Sequence, residues 1–419
     1  MTVAELIEAV TIGRIPMKFE AFDGSSAGDP ASPLTLRLRN DRGLRYLLTA
    51  PGDLGLARAY VLGDLELSGA HPGDPYEAMR ALAGWRFRRP PLTEIPKLLR
   101  QLGLRRLIPP PPPPQESLPR YRRTLEGLRH SRGRDAAAIS KHYNVSNRFY
   151  EHVLGPTMAY TCALFTKPES SLEQAQQDKF DLVARKLGLG PGTRLLDVGC
   201  GWGGMARHAA THYGADVVAI TLSREQADWA RDAVEKDGLS RHVTILHGDY
   251  RDAPGTQYDA VSSIGLLEHV GVRNYSSYFA FLRSKLRDGG RLLNHCITRP
   301  DNRSPARAGL FIDRYVFPDG ELTGSGRIIT EAQDAELEVV HEENLRPHYV
   351  LTLEAWCTNL VAHWDECVRE VGIETARIWG LYMAGSRIGF ETNATQLHQV
   401  LAVRTDQHGT WPLPLRAEW

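Results

Sequence analysis

Ten residues beginning at Leu195, Leu-Leu-Asp-Val-Gly-Cys-Gly-Trp-Gly-Gly, space Gly199, Gly201 and Gly204 as G-x-G-x-x-G. Glycines at a strand-to-helix turn let the backbone approach a ligand closely, and the helix N-terminus behind them favours an anionic group. A nicotinamide dinucleotide would want an acidic residue about 20 positions further on, for its ribose 2′-hydroxyl. Thr221-Leu222-Ser223 stands there instead. The acid nearest the loop is Asp197, two residues before the first glycine, and Asp249-Tyr250 follows a later apolar run. A carboxyl edge of a parallel sheet is where ligands bind, so Asp249 reads either as a ligand contact or as an exposed turn aspartate.

These residues need a frame, and the local patterns supply one. Residues 193–198 read as a buried strand, 205–212 as a helix start, 216–221 as a second strand and 225–237 as its helix. Further strands are expected at 243–247, 260–264 and 291–297. Strands alternating with helices imply an α/β fold, a doubly wound and mainly parallel sheet of the Rossmann-like kind. Before it, short apolar segments with turn signals predict a smaller α+β domain, with Leu34–Arg39 alternating like a half-buried strand. The boundaries read as 1–105 for that domain, 106–134 for a basic, proline-rich linker and 135–419 for the larger domain.

The chain has 419 residues, and 50 basic residues balance 50 acidic ones. Attraction to an anionic surface must therefore be local, and no nucleic-acid partner is expected. Local asymmetry is present between Trp85 and Arg134, where 13 Lys and Arg face three glutamates around the six prolines 109–114. Polyproline is a stiff spacer. The leucines interleaved with the charges fit an amphipathic segment docking on anionic lipid, and a solvated linker fits as well. Five scattered cysteines without a C-x-x-C pair argue against a disulfide framework or zinc site, so no metal is expected. No signal peptide or bilayer-spanning run is visible, which fits a cytoplasmic protein.

Asp197 stands where class I methyltransferases carry an acid, which favours S-adenosylmethionine as the cofactor. Several rarer blocks then occur in order: His142-Tyr143-Asn144-Val145-Ser146-Asn147-Arg148-Phe149-Tyr150, residues 156–163, residues 221–226, Glu268-His269-Val270-Gly271, residues 311–318 and His348-Tyr349. With them the sequence resembles the cyclopropane-fatty-acyl-phospholipid synthase family, including the mycolic acid methyltransferases, over about the last two-thirds of the chain. The resemblance implies a class I methyltransferase holding S-adenosylmethionine through Tyr160, Thr161, Asp197, Gly199, Gly201, Thr221, Leu222, Gln226 and Asp249. It implies a bicarbonate ion, acting as base, at Cys162, Glu268, His295, Ile297 and Tyr349. Taken singly, each of these has a bland reading: a core cysteine, a satisfied strand histidine, an aromatic at a helix start.

The implied chemistry is demanding. An alkene is a weak nucleophile, so a cationic methyl donor must be held in line with it. The carbocation that results wants π-electron or negative surroundings, and Tyr143, Tyr150, Phe165, Tyr315 and Phe317 are expected to line an apolar channel. The implied substrate is an unsaturated acyl chain of a phospholipid at the inner membrane face, met by peripheral association. Gly265-Leu266-Leu267, Asn294-His295-Cys296-Ile297 and residues 319–322 resemble an actinobacterial branch that makes a 10-methylene chain, the tuberculostearic precursor. That product implies a partner reductase; cyclopropane formation is the alternative, and a small-molecule methyltransferase the more distant one. A homodimer is compatible with the sequence, and no residue demands it.

Overall fold

The computed structural model describes residues 1–88, 103–119, 146–411, 416 and 419. Tyr143 and most of the basic stretch, including Arg89, lie outside the described residues. The chain forms two compact units: Met1–Leu118 with Gly309–Val316 and Trp356–Ile388, and Pro119–Ala308 with Phe317–Ala355 and Gly389–Trp419. The division differs from the boundaries read in the sequence, because the chain returns twice to the first unit and residues 106–118 belong to it.

The first unit is the expected small α+β arrangement. Its four-stranded sheet runs in the order Ser26–Ala27, Lys18–Ala21, Thr35–Leu38, Leu65–Ser68. Helix Val3–Val10 starts with a reciprocal cap between Thr2 and Glu5, and its Leu6 and Ile7 join Phe19, Leu36 and Leu38 in the core. The prolines are not a free spacer. The Arg45 guanidinium donates to the Ile108 carbonyl at 2.7 Å, and the Tyr46 hydroxyl donates to that of Pro111. Just beyond, Glu116 is fully enclosed, bonded at both oxygens by Arg58 and also by Arg314 and Tyr315. Burial opposes ionisation of Glu116, but the two guanidinium groups outweigh it and hold the carboxyl below its usual range. Removing one member of a buried ion group leaves uncompensated charge. Glu116→Gln should therefore cost about 3 kcal/mol, read as a lower urea midpoint with an unchanged slope.

The second unit carries a seven-stranded sheet among its described residues. The strands are β1 (Arg194–Val198), β2 (Asp216–Thr221), β3 (Val243–His247), β4 (Tyr258–Ile264), β5 (Leu286–Thr298), β6 (Glu338–Asn344) and β7 (Gln396–Val403). Their order is β6-β7-β5-β4-β1-β2-β3, parallel from β3 to β5, with β7 antiparallel to both β5 and β6. The five parallel strands agree with the sequence expectation within a few residues. The largest difference is β5, which starts at Leu286 rather than 291 because it pairs on one side with β4 and on the other with β7.

Helices on both faces bury the strands' apolar runs. Relevant to the site are α1 (Asn147–Leu154), α2 (Leu172–Leu187), α3 (Gly204–Tyr213), α4 (Arg224–Lys236), the short α5 (Leu267–Val270) and α6 (Tyr275–Lys285). Helix α8 (Arg346–Ala362) follows β6, after α7 (Ser325–Asp334). Helix α2 is stopped by left-handed Gly188 and capped by Ser171, whose hydroxyl accepts from the Gln174 amide. Its Phe180, Val183, Ala184 and Leu187 pack with Leu195 and Met205. Among the described residues no helix is long and apolar enough to cross a membrane.

Candidate active site

The switch point of the sheet lies between β1 and β4, where the strand order reverses, and the glycine loop leaves β1 there. Gly199, Gly201 and Gly203 all have positive φ, 75°, 54° and 76°. The Gly199 and Cys200 amides both donate to the Ile220 carbonyl, which folds the loop back over β2. A side chain at Gly199 would come within 3.0 Å of Leu266 Cβ, and one at Gly204 within 2.8 Å of the Phe180 ring. The loop thus forms one wall of a cleft whose other wall is Leu266 and Phe180.

That cleft is lined by Tyr160, Thr161, Asp197, Gly199, Gly201, Thr221, Leu222 and Gln226, eight of the nine positions implied for the cofactor. Asp249 lines an adjoining recess that shares Gly199, Leu222, Leu266 and His269 with the first. Local structure sets each group. Ser223 caps α4 by accepting from the Gln226 amide, and Gln226 then meets the Thr221 hydroxyl at 2.8 Å. Asp249 is 8% exposed and held bidentately by Arg251 at 2.6 Å. Tyr160 is backed by Tyr150, which is itself fully buried against Trp202.

Asp197 lies near the end of β1, with one oxygen accepting from Ser262 Oγ on β4 at 2.6 Å and the other buried and without a partner among the described residues. Burial raises its pKa to about 6, and the Ser262 bond only partly offsets that. Beside it is a residue the sequence reading missed. Lys179 on α2 is fully buried, lines the cleft and donates to Thr161 Oγ1 at 3.0 Å, with its ammonium 3.7 Å from the centre of the Phe180 ring. Burial lowers its pKa to about 7, with Cys162 and Asp197 acting in the opposite direction. Gln176, one turn earlier, donates to the Ala159 and Thr161 carbonyls and so fixes the segment that carries Tyr160.

The five positions implied for bicarbonate lie outside this lining; Cys162, His295 and Tyr349 are buried, and Glu268 and Ile297 half-buried. Glu268 opens α5 with one carboxylate oxygen accepting from the Ile297 amide at 2.7 Å, while Oε2 is buried and finds no partner among the described residues. Burial raises its pKa to about 7, against the Ile297 bond. His295 is 1% exposed and shares a face of β5 with Ile297. Its Nδ1 meets Gln399 Nε2 at 3.2 Å, and its Nε2 is buried and has no partner among the described residues. Cys162 is buried and its thiol points at the Leu345 carbonyl, four residues before Tyr349, which is 5% exposed and packs on Phe390. The Ile297 amide is spent on Glu268, while Glu268 Oε2 and His295 Nε2 are buried atoms with no hydrogen-bond partner among the described residues.

The expected aromatic channel is gathered only in part. Phe317 packs on His269, and the Phe165 amide donates to His348 Nδ1. Tyr150 is a buried support rather than a lining group. Tyr315 belongs to the first unit, where its hydroxyl is bonded to Glu116, so its phenol is committed to that ion group.

Residues 130–400 match the family described as mycolic acid cyclopropane synthetase. The chain belongs to that family. It is 58% identical over its whole length to a probable fatty acid methyltransferase of Mycobacterium tuberculosis, covering 98% of that protein. It is 31% identical, over 94% of the chain and 89% of the relative, to a tuberculostearic acid methyltransferase of the same organism. A mycolic acid cyclopropane synthase solved with SAH and CTAB superposes with a TM-score of 0.60 at 30% identity, covering 64% of this chain and 98% of that one. This member of the family is a methyltransferase with a class I fold, and the synthetase match spans the cleft and the buried groups behind it.

Proposed function

We propose that this methyltransferase adds a one-carbon unit from S-adenosylmethionine to the double bond of an unsaturated acyl chain in a phospholipid, giving a 10-methylene chain. The observation that carries the reading is that Glu268 Oε2 and His295 Nε2 are both buried and find no partner among the described residues, in the same unit as the cleft. Methylation of nitrogen or oxygen requires no such pair. A carbon-methylating enzyme must also take a proton from a carbon acid, and that needs a base held in a dry place.

The protein groups fit an anion there. With its pKa raised to about 7, Glu268 retains a proton at neutral pH in a substantial fraction of molecules and can donate from Oε2. His295 is kept neutral by burial, with Lys179 and Lys186 adding to the effect. Bicarbonate bound between the two would supply the base. S-adenosylmethionine would supply the methyl group as a sulfonium. Leu222, Leu266 and the Phe180 ring would give the cleft apolar walls, and Thr221 with Gln226 would orient the nucleoside. Tyr160, stiffened by Tyr150, presents π electrons to positive charge.

The likeness to a tuberculostearic acid methyltransferase supports the methylene product, and the likeness to a mycolic acid cyclopropane synthase keeps ring closure as the second reading. Both begin with the same methyl transfer. The fatty-acid profile of a host rich in oleoyl phospholipid separates them: expression should add chains heavier by one methylene. Mild hydrogenation should convert the product to a methyl-branched chain, whereas a ring would resist it. An unchanged profile from folded protein would refute both and favour a small-molecule substrate.

Access to the substrate is proposed to be peripheral, with a partner reductase consuming the methylene product. In the first unit Thr11–Ile12 pairs with Arg86–Phe87 and leaves Ile12 54% and Phe87 52% exposed beside exposed Arg86 and Arg88. Arg86→Ala with Phe87→Ser should weaken binding to anionic vesicles, and the arginine's share should shrink as salt screens it. Binding that is equal for both proteins at every salt concentration would remove this surface from the account.

A further inference from the structure

The polarity of a hydrogen-bond chain behind the site fixes which nitrogen of His295 carries its proton. Lys186 on α2 is fully buried and its Nζ donates to Gln399 Oε1 on β7 at 2.8 Å. An ammonium has no acceptor, so the Gln399 amide must present its oxygen to Lys186 and its nitrogen to the other side. That other side is His295 Nδ1 at 3.2 Å, directly across the β5–β7 pair, where His295 and Gln399 are register partners. Gln399 Nε2 can only donate, so Nδ1 must accept and therefore carries no proton. In the neutral ring the proton is then on Nε2, the buried atom with no partner among the described residues.

The amine end of the chain is itself anchored. Lys186 also pairs with Glu343 on β6, the register partner of Gln399 on the opposite side. Burial lowers the Lys186 pKa and Glu343 counters that. The nearby His341 reaches Glu343 only at 3.9 Å, and Lys179 is the other cation facing the imidazole. We infer that Lys186 and Gln399 are positioning residues that hold His295 as the Nε2–H tautomer, a fixed hydrogen-bond donor aimed at the site. The use of that donor rests on the proposed function, since an Nε2–H serves an anion and would repel a metal or a proton. The lysines also carry a sequence signal. Lys179 and Lys186 are seven residues apart on the apolar stripe of α2, where a solvent-facing lysine would not fall.

The test is long-range 1H–15N NMR on the full chain labelled at histidine, with the His295 signals assigned by their loss in His295→Asn. The expected spectrum of the unaltered protein has a protonated Nε2 and a bare Nδ1. Gln399→Glu offers Nδ1 an acceptor and should move the proton to Nδ1, with turnover reduced by about 10-fold to 100-fold, as for other groups that orient a functional histidine. Gln399→Met removes the donor and should give a mixture of tautomers. A protonated Nδ1 in the unaltered protein overturns the inference, as does an unmoved proton in both variants. A correct tautomer with no lipid product would instead count against the proposed reaction while leaving the relay standing.

Discussion

Glu268→Gln should lose turnover on the order of 10³-fold and gain stability in the same substitution. The loss follows from removing a carboxyl whose free oxygen faces the buried site and whose proton can be given or withheld. Glutamine keeps an oxygen for the Ile297 amide, so the fold of α5 survives. The gain has a definite sign. Because the folded-state pKa of Glu268 is raised to about 7, its favourable contribution is complete below the ordinary value of 4.5 and is lost as pH rises through 7. Glutamine is never charged and escapes that loss. The variant should match the parent near pH 4.5 and exceed it by about 2–3 kcal/mol at pH 8, as measured by urea unfolding at the two values. A variant less stable at pH 8 would mean that the carboxylate is paired in the native protein.

Gly199→Ala should abolish tight cofactor binding with a modest cost to folding. The residue sits at φ 75°, where a side chain costs about 1–2 kcal/mol, and the new methyl would lie 3.0 Å from Leu266 Cβ. Leu266 is a wall of both the main cleft and the Asp249 recess, so relief of the clash must narrow one of them. An affinity loss of about 100-fold corresponds to ~2.7 kcal/mol, and isothermal titration with S-adenosylhomocysteine would read it. Gly238→Ala makes a fair control: its φ is 70° but nothing lies near the added methyl. That substitution should show the backbone cost without the affinity loss.

The parallel half of the sheet was legible because its strands are continuous apolar runs bounded by glycine turns, and a buried parallel strand has no other way to be written. The edge was not. Strand β6 reads Glu-Val-Val-His-Glu-Glu-Asn and is only partly buried, so its charges hide its period. Strand β7 begins Gln-Leu-His-Gln, and its His398 and Gln399 are buried because they bond to β5, β6 and α2, a pairing that only tertiary structure creates. That eight of the residues implied for the cofactor line one cleft was readable for a local reason: loop, cap and acid all lie within a few residues of a strand end. Lys186 and Gln399 were missed because their role comes from partners 104 and 213 residues away. What the sequence did not show of Tyr315, an aromatic in a matching block, is that its hydroxyl serves Glu116.

The central claim is that carbon is methylated and then deprotonated within this one site. Purified protein, bicarbonate, oleoyl phospholipid vesicles and S-adenosylmethionine bearing a CD3 group test it directly by mass spectrometry of the released acyl chains. Chains that have gained CD2 are expected, the third deuterium having been lost to solvent. Chains that retain an intact CD3 would contradict deprotonation of the added carbon, and a label absent from the lipid would contradict the substrate itself.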